Sequence, residues 1–306
     1  MKIKIIISIL YFFLFFNLNA LAKTFYIGEE INNSFNFNRH IKIDINAGNW
    51  EVVRAETLNW GVLQRIVGIG RVQNNEILEI IEVYEGLLGG YYSGYVDPMI
   101  TEIVFKDKHD GCYERPEYFL LEMYRKGNTH NCMIIRHFDV TKELNYPDSP
   151  NGKAAASAYN HWIKKSSLQY PKIMLESNHS YFSRLTGGRW YQVRRFMSPK
   201  IFNAPQSKYF TETTSEYHKS NISNYPEHQK IMNNWISLSS IFHKDFEIMS
   251  SSKKNHKLNL SKYINDSNNY NSNNEITNQL EKLNQLYKSG ALTKEEFSKA
   301  KNKILD

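Results

Sequence analysis

Tyr118-Phe-Leu-Leu-Glu-Met-Tyr124 and Cys132-Met-Ile-Ile-Arg-His-Phe138 are two runs rich in aromatic and branched side chains near the middle of the chain. Both are long enough for a β-strand, and such residues favour strands. The polar cluster Lys126-Gly-Asn-Thr-His-Asn131 separates them. We therefore predict two antiparallel strands, 118–125 and 132–139, joined as a hairpin, with another strand at 99–105 before them.

Strand patterns continue on both sides of this hairpin. Apolar residues and their spacing predict strands over 41–45, 50–55, 62–71, 77–84, 172–183 and 189–196. One helix is predicted over 154–166 and another from Pro226, with one apolar face formed by Ile231, Trp235, Leu238, Phe242 and Phe246. The sequence therefore predicts an α+β fold, a mostly antiparallel β body with two or three helices. A barrel and an open sheet both agree with these patterns.

The first 22 residues have the pattern of a secretory signal peptide. Lys2 and Lys4 precede an apolar run over 5–16, and Ala20-Leu21-Ala22 forms a cleavage site of small residues. Cleavage after Ala22 would send the mature chain to the periplasm or the medium. The alternative is an uncleaved anchor, but the run is shorter than the ~20 residues that cross a bilayer.

The two cysteines, Cys112 and Cys132, are a candidate disulfide in an exported chain. In the predicted hairpin Cys132 lies beside the turn, whereas Cys112 precedes the far end of the first strand, ~23 Å away. A bond therefore requires residues 111–117 to double back along the sheet. The alternative is two small buried thiols.

Composition divides the chain into three parts, and the net charge excludes few classes of function. Without Lys2 and Lys4 the mature chain carries 36 basic and 31 acidic residues, a net charge of +5, so nucleic acid is not an expected partner. Residues 23–249 form the predicted globular body. Residues 250–274 are a predicted disordered linker, because six of the ten residues 265–274 are asparagine. Residues 275–306 have helical periodicity.

The histidines offer one candidate for catalysis. His137 and Asp139 alternate on a predicted strand and point the same way, as a base and its orienting carboxylate would. The alternative is two polar residues on the solvent face of a sheet. His218 and His228 are ten residues apart, which is not a metal-ligand spacing. We predict no catalytic residue, metal or cofactor from these patterns.

The predicted hairpin at 179–196 is the best candidate for a binding surface. It carries arginines beside aromatic residues, a combination that suits anionic or aromatic partners: Arg184, Arg189, Trp190, Tyr191 and Arg194. Arg194 and Arg195 face opposite sides of a strand, so only part of the set can line one site. The alternative is a half-buried hairpin with stacked arginines at its edge.

The C-terminal segment has the pattern of a helical hairpin. Gly290 suits the left-handed end of a first helix, and Thr293 with Glu296 forms a capping box for a second. The apolar stripe that needs a partner consists of Ile276, Leu280, Leu283, Tyr287, Leu292, Phe297 and Ile304. A module this small, without cysteine or histidine, is expected to be stabilised by association.

Glu281-Lys-Leu-Asn-Gln-Leu-Tyr-Lys-Ser-Gly-Ala-Leu-Thr-Lys-Glu-Glu-Phe297 closely resembles the short C-terminal domain family SHOCT, through the pattern L-x-x-L-x-x-G-x-[LI]-T-x-E-E-[FY]. The resemblance implies a terminal module of assembly or interaction without catalysis. We therefore expect an exported, non-catalytic binding or assembly protein that self-associates or binds a protein partner through this hairpin. The alternative is an exported hydrolase that uses His137 and Asp139 or the arginine-rich hairpin.

Overall fold

The fold is taken from a computed structural model that describes residues 24–38, 40–59, 63–87, 112–115, 117–126, 129–145, 150–183, 189–205, 207–208, 211, 213–252, 256–260, 280, 282–288 and 290–305. The predicted signal peptide with its cleavage site at Ala22, the predicted strand 99–105 and Arg184 lie outside these residues.

The body is built on an eight-stranded antiparallel sheet. From edge to edge its strands are β1 (Glu30–Ile31), β4 (Asn49–Asn59), β5 (Leu63–Gln73), β6 (Glu76–Leu87), β10 (Arg189–Met197), β9 (Ile173–Ser183), β8 (Thr129–Asp139) and β7 (Leu120–Lys126). A smaller sheet has the order β11 (His256–Asn259), β3 (Ile41–Asp44), β2 (Ser34–Asn36). Within the described strands the main sheet is open, which decides between the two architectures that the sequence allowed.

Both predicted hairpins are present. β7 pairs with β8, where Met123 lies opposite Cys132, and β9 pairs with β10, where Tyr181 lies opposite Tyr191. Local alternation and turn residues were sufficient to predict these pairs, because each joins neighbouring segments of the chain.

Four α-helices have defined bounds in the described chain, α1 (Val140–Asn145), α2 (Pro150–Lys165), α3 (Pro226–Ser251) and α4 (Lys294–Leu305), and residues 282–288 are also helical. The predicted apolar face of α3 is buried on one side of the main sheet and reaches the small sheet through Phe246. α1 and α2 pack on the opposite side, where Trp162 joins Phe138 and Phe196 in the core. None of the helices in the described residues has the length and apolar character needed to cross a membrane.

The predicted start of the linker at Ser250 requires a correction. α3 continues to Ser251, and β11 lies within the segment assigned to the linker. β11 pairs with β3 in parallel, and Leu258 and Leu260 are buried in the core. Burial of these two leucines removes apolar surface from water and stabilises the pairing of β11 with β3, so residues 256–260 belong to the body. Residues 261–274 lie outside the described chain.

Cys112 and Cys132 form a disulfide, with Cα atoms 6.2 Å apart. The chain doubles back as the sequence analysis required: Tyr118 N–H donates to the Arg115 carbonyl, and Phe119 N–H donates to the Ile135 carbonyl. Both cysteines are buried. The predicted bond is confirmed, and it fixes the segment before β7 to β8.

Two glycines on β5 allow close approaches, Gly70 to helix α2 and Gly68 to Arg54 of β4. A Cβ atom on Gly70 would be 2.3 Å from the Trp162 ring, and one on Gly68 would be 2.9 Å from Arg54 Cβ. Trp162 is fixed over Gly70 because its Nε1 donates to Glu51 at 2.6 Å. A glycine in a strand is unfavourable by itself, so these two positions serve the close approach.

We expect Gly70→Ala to lower the free energy of unfolding by about 1–3 kcal/mol, because the methyl group overpacks a filled site. Urea unfolding monitored by fluorescence gives the value. Adding Trp162→Phe to Gly70→Ala should recover part of the loss, since the smaller ring leaves room. A Gly70→Ala chain as stable as the wild type would contradict the close approach.

Candidate functional site

Five charged side chains lie between the main sheet and α2. We call them the buried ion network; its members are Arg54 of β4, Glu82 of β6, Arg136 of β8, Glu176 of β9 and Arg194 of β10. Each comes from a different strand. They are brought together only when the strands align in the sheet.

Glu82 is the centre of the network. One of its oxygens accepts from Arg54 Nη1 at 2.7 Å and from the Tyr159 hydroxyl at 2.5 Å. The other accepts from the Tyr84 hydroxyl at 2.7 Å and from Arg194 Nη1 at 3.2 Å. The carboxylate is therefore surrounded by donors from three strands and a helix.

Gly68 makes the contact between Arg54 and Glu82 possible. In the register of the sheet, Arg54 lies opposite Gly68, and Gly68 lies opposite Glu82. A side chain at position 68 would stand between the two charges, on the face where they meet. The glycine therefore lets the guanidinium cross one strand to reach the carboxylate.

Glu176 joins the other two arginines. It accepts from Arg136 Nε at 2.5 Å and from Arg194 Nε at 2.9 Å. Arg136 also faces Glu143 of α1, but Nη2 is 3.6 Å from the carboxylate, which is longer than a hydrogen bond. Arg136 is thus hydrogen-bonded to Glu176 and has Glu143 nearby as a second carboxylate.

The network keeps its carboxylates ionised. Burial alone would raise the pKa of Glu82, but the Arg54 and Arg194 guanidiniums outweigh it and lower that pKa to about 2. The pKa of Glu176 is also lowered, because Arg136 and Arg194 together overcome its burial. Burial and the charge of Glu82 raise the pKa of Tyr84 to about 12. At neutral pH the two carboxylates are therefore charged, and the Tyr84 hydroxyl keeps its proton.

A cavity of about 80 Å³ lies beside the network, under α1 and α2. Its walls are mainly apolar, with contributions from Phe138, Trp162, Met174 and Phe196. Arg136 and Glu143 lie on its lining together with Glu82, Tyr159 and Arg194. The arrangement combines an apolar chamber with a charged end.

The opposite face of the sheet holds a pair of histidines. Nδ1 of His179 on β9 and Nδ1 of His243 on α3 are 3.1 Å apart, so one ring donates to the other. Burial, followed by the charge of Lys301, lowers the pKa of His243 to about 4. Burial likewise takes the pKa of His179 well below its usual value. Both rings are neutral at pH 7, as a structural pair within the core would be.

The arginine and aromatic residues predicted as one binding surface lie on different sides of the sheet. Trp190 and Tyr191 are buried, so the prediction that they lie at the surface is corrected. Trp190 is buried on the α2 side, with Nε1 donating to Ser180 Oγ at 2.8 Å. Tyr191 is buried on the α3 side within the core. Arg194 belongs to the buried ion network, and the side chain of Arg189 lies outside the described residues. Successive side chains of a strand point to opposite faces, so Trp190 and Tyr191, which are adjacent in sequence, do not line one surface.

The contacts described for His137 and Asp139 are with different residues. Asp139 Oδ1 accepts the backbone N–H of Lys142 at 3.1 Å, at the start of α1. His137 is buried, and its ring lies edge-on to His218 at 5.9 Å. The solvent-facing position that was the alternative for His137 is therefore wrong. Across the described residues, no group of three or more His, Cys, Asp or Glu side chains has the geometry to hold a metal ion.

The C-terminal segment forms the predicted helical hairpin. Residues 282–288 are helical, Gly290 has φ +76°, and α4 follows. The capping box is present: Thr293 N–H donates to Glu296 at 2.9 Å, and Glu296 N–H donates to Thr293 Oγ1 at 3.2 Å. The Tyr287 and Phe297 rings, 4.7 Å apart, join the two helices.

The apolar stripe of the hairpin is only partly covered. Leu283 is buried, whereas the side chains of Leu280, Leu292, Phe297 and Ile304 are half-buried. Leu286 and Tyr287 are exposed, at 47% and 39%. Lys301 of α4 contacts Glu122 of β7. The hairpin thus contacts the body through a charged pair and leaves apolar surface in water.

Fold and tail together define a class of protein: a β-sheet body with a helical interaction module at the C-terminal end. Residues 278–305 match the family model of SHOCT, the short C-terminal domain, so the predicted resemblance of the tail is confirmed. Modules of this family are of the interaction type. The body has no family match.

Comparison with known proteins adds little about the body. No curated protein matches the chain. The structure of the possible transcriptional regulator YydK from Bacillus subtilis subsp. subtilis str. 168 is similar over 49% of this chain and 57% of that chain, with 8% identity and a TM-score of 0.22. A likeness at that level carries no argument about fold or function.

Sequence reasoning missed the buried ion network, although a signal was present. Glu82 interrupts an apolar run, Ile80-Ile-Glu-Val, and Glu176 directly follows another, Ile173-Met-Leu. Charged residues are almost never buried in a core unless they are paired. Such interruptions indicate a buried pair, but they do not say which arginine is the partner.

Proposed function

We propose that this chain is an exported, non-catalytic binding or assembly protein whose C-terminal hairpin joins it to a second copy of the same chain. The observation that carries the proposal is the match of residues 278–305 to an interaction module whose apolar surface the chain leaves partly uncovered. Exposed apolar surface favours association, since covering it removes it from water.

Two features of the body support a binding protein rather than an enzyme. The charged groups that converge under α2 are paired with one another and hold fixed protonation states. Asp139, the carboxylate proposed for the hydrolase alternative, accepts a backbone N–H at a helix start. The disulfide and the N-terminal sequence support export, because disulfides persist in oxidising compartments.

We expect Leu286→Asp to lower the oligomer mass of the mature chain, measured by light scattering during gel filtration, without changing its melting temperature. Leu286 is exposed, so the charge acts on the association surface rather than on the hairpin core. Asn284→Asp is the matched control, because it adds the same charge at another exposed position of the same helix. Leu283→Asp should also reduce association, by unfolding the hairpin.

The oligomer mass of the wild-type mature chain decides whether the chain assembles with a second copy. A mature chain that remains monomeric at high micromolar concentration would refute assembly through a second copy. Equal loss of mass in Leu286→Asp and Asn284→Asp would show that charge, rather than this apolar surface, controls the association.

A further inference from the structure

A cleft of about 530 Å³ lies between the body and the C-terminal hairpin. Strands β7 and β8 and helix α3 form the walls that belong to the body, and α4 adds a wall through Lys301 and Asn302. The contact between Lys301 and Glu122 lies in this lining and joins two of the walls. The volume is in the range of small-molecule sites.

The charges in the lining of the cleft cancel. The two carboxylates, Glu122 and Glu247, are matched by the ammonium groups of Lys244 and Lys301. His243 is neutral at pH 7, because burial and the charge of Lys301 lower its pKa to about 4. The described lining therefore favours neither an anion nor a cation, and it suits a neutral ligand.

Neutral hydrogen-bonding groups are the second feature of the cleft. Asn131, Ser240, His243 and Asn302 lie in the lining, and together they can donate and accept hydrogen bonds. Asn131 Oδ1 is buried without a hydrogen-bond partner among the described residues, although buried polar atoms normally have one. His243 uses Nδ1 for His179, so Nε2 is the ring nitrogen that can face a ligand. The cleft thus offers several partners to a ligand rich in hydroxyl groups.

An aromatic ring in the lining remains largely in water. Tyr124 of β7 is 54% exposed, and Met133 of β8 adds a buried apolar side chain to the same lining. An aromatic face is a large, rigid apolar surface for the C–H groups of a ligand. The cleft therefore combines one apolar face with polar groups around it.

We propose that this cleft binds one ring of a neutral sugar, with its C–H face on Tyr124 and its hydroxyls hydrogen-bonded to Asn131, His243 and Asn302. A pyranose ring carries both kinds of surface that the cleft offers, an apolar face and hydroxyls that donate and accept. Because Asn302 belongs to α4, the hairpin completes the site. The inference rests on the part of the proposed function that makes the chain a non-catalytic binding protein, and it adds the class of ligand.

The probes are the methyl glycosides of glucose, galactose, mannose and N-acetylglucosamine. With the mature full-length chain we expect saturable binding of at least one of them by ligand-observed NMR, in the millimolar range for so small a ligand. Cyclohexanol has a six-membered ring with a single hydroxyl and should bind at least about tenfold more weakly, because it leaves the polar groups of the cleft unpaired. Methyl glucuronide, which adds a carboxylate, should bind no more tightly than methyl glucoside.

Two pairs of variants test the location with the glycoside that binds most tightly. Tyr124→Ala should lower the affinity at least about fivefold, whereas Tyr26→Ala, an exposed tyrosine near the β1 edge of the sheet, should leave it unchanged. Asn302→Ala should lower the affinity several-fold, whereas Asn284→Ala, on the other helix of the hairpin, should not. All four side chains are exposed, so we expect the variants to fold.

Several results would overturn the inference. Absence of saturation with all four glycosides would remove the site, and equal binding of cyclohexanol would show an apolar site instead of a sugar site. Tighter binding of methyl glucuronide would refute the neutral lining. An unchanged affinity in Tyr124→Ala would place the ligand elsewhere, and an unchanged affinity in Asn302→Ala would remove the hairpin from the site. Leu286→Asp changes the association surface and not the cleft, so it should bind the glycoside as the wild type does, and a failure of assembly and a failure of this site are distinguishable.

Discussion

Replacement of Glu82 by glutamine should lower the free energy of unfolding of the mature chain by about 3–5 kcal/mol, the usual cost of breaking a buried ion pair by removing one partner. The change keeps the shape of the side chain but removes the buried carboxylate that Arg54 and Arg194 share, which leaves them paired only with the carboxylates of Glu56 and Glu176 among the described residues. Urea unfolding at pH 7, followed by tryptophan fluorescence, measures the loss.

Glu56→Gln is the control for this variant. Glu56 also contacts Arg54, but its side chain is 25% exposed, so water replaces the lost interaction and the expected loss is at most about 1 kcal/mol. Equal losses in the two variants would contradict the central position of Glu82 in the network.

The pH dependence of the Glu82→Gln effect has a defined sign. The folded-state pKa of Glu82, about 2, lies below the ordinary value of 4.5, so its stabilisation is complete above pH 4.5 and is lost as the pH falls towards 2. The difference in stability between wild type and Glu82→Gln should therefore shrink over this range. A difference independent of pH would mean that the changed hydrogen bonding of the amide, and not the lost charge, causes the loss.

The second large effect concerns the disulfide. Cys112→Ser with Cys132→Ser should lower the free energy of unfolding by about 3 kcal/mol, because a bond that closes a loop of this length restricts the unfolded chain. The value comes from urea unfolding of the double variant beside the oxidised wild type.

A reductant provides the control for the disulfide. It should bring the wild type close to the stability of the double variant and leave the double variant unchanged. If alkylation without reductant labels both cysteines of protein taken from its native compartment, the bond does not form there and this prediction fails.

The sequence was sufficient for the strands whose partners are close along the chain. The hairpins β7–β8 and β9–β10 follow from alternating apolar residues and polar turns, and the long apolar face of α3 follows from its spacing. The tail was predicted most fully, since its capping box, its glycine and its apolar stripe act over a few residues. Interactions between residues that are near in sequence can be predicted from that stretch of sequence alone.

The candidate site could not be predicted in the same way. Arg54 and Glu82 are 28 residues apart, and Tyr159 donates to Glu82 across 77 residues. Sequence patterns predict the face of the strand on which each charged residue lies. They do not predict the order of the strands, which decides which charged residues meet. The hairpin 179–196 shows the converse, because residues adjacent in sequence, Trp190 and Tyr191, lie on opposite sides of the sheet.

By itself, the sequence determined most of the secondary structure, a candidate disulfide, the helical tail and the family of that tail. Only the tertiary structure decided that the main sheet is open in its described part, that β11 belongs to the body, and that five charges from five strands meet beside a cavity. The physical reason is that a strand or a cap is stabilised by residues near in sequence. A buried charge is stabilised by partners that only the order and register of the strands bring within hydrogen-bonding distance.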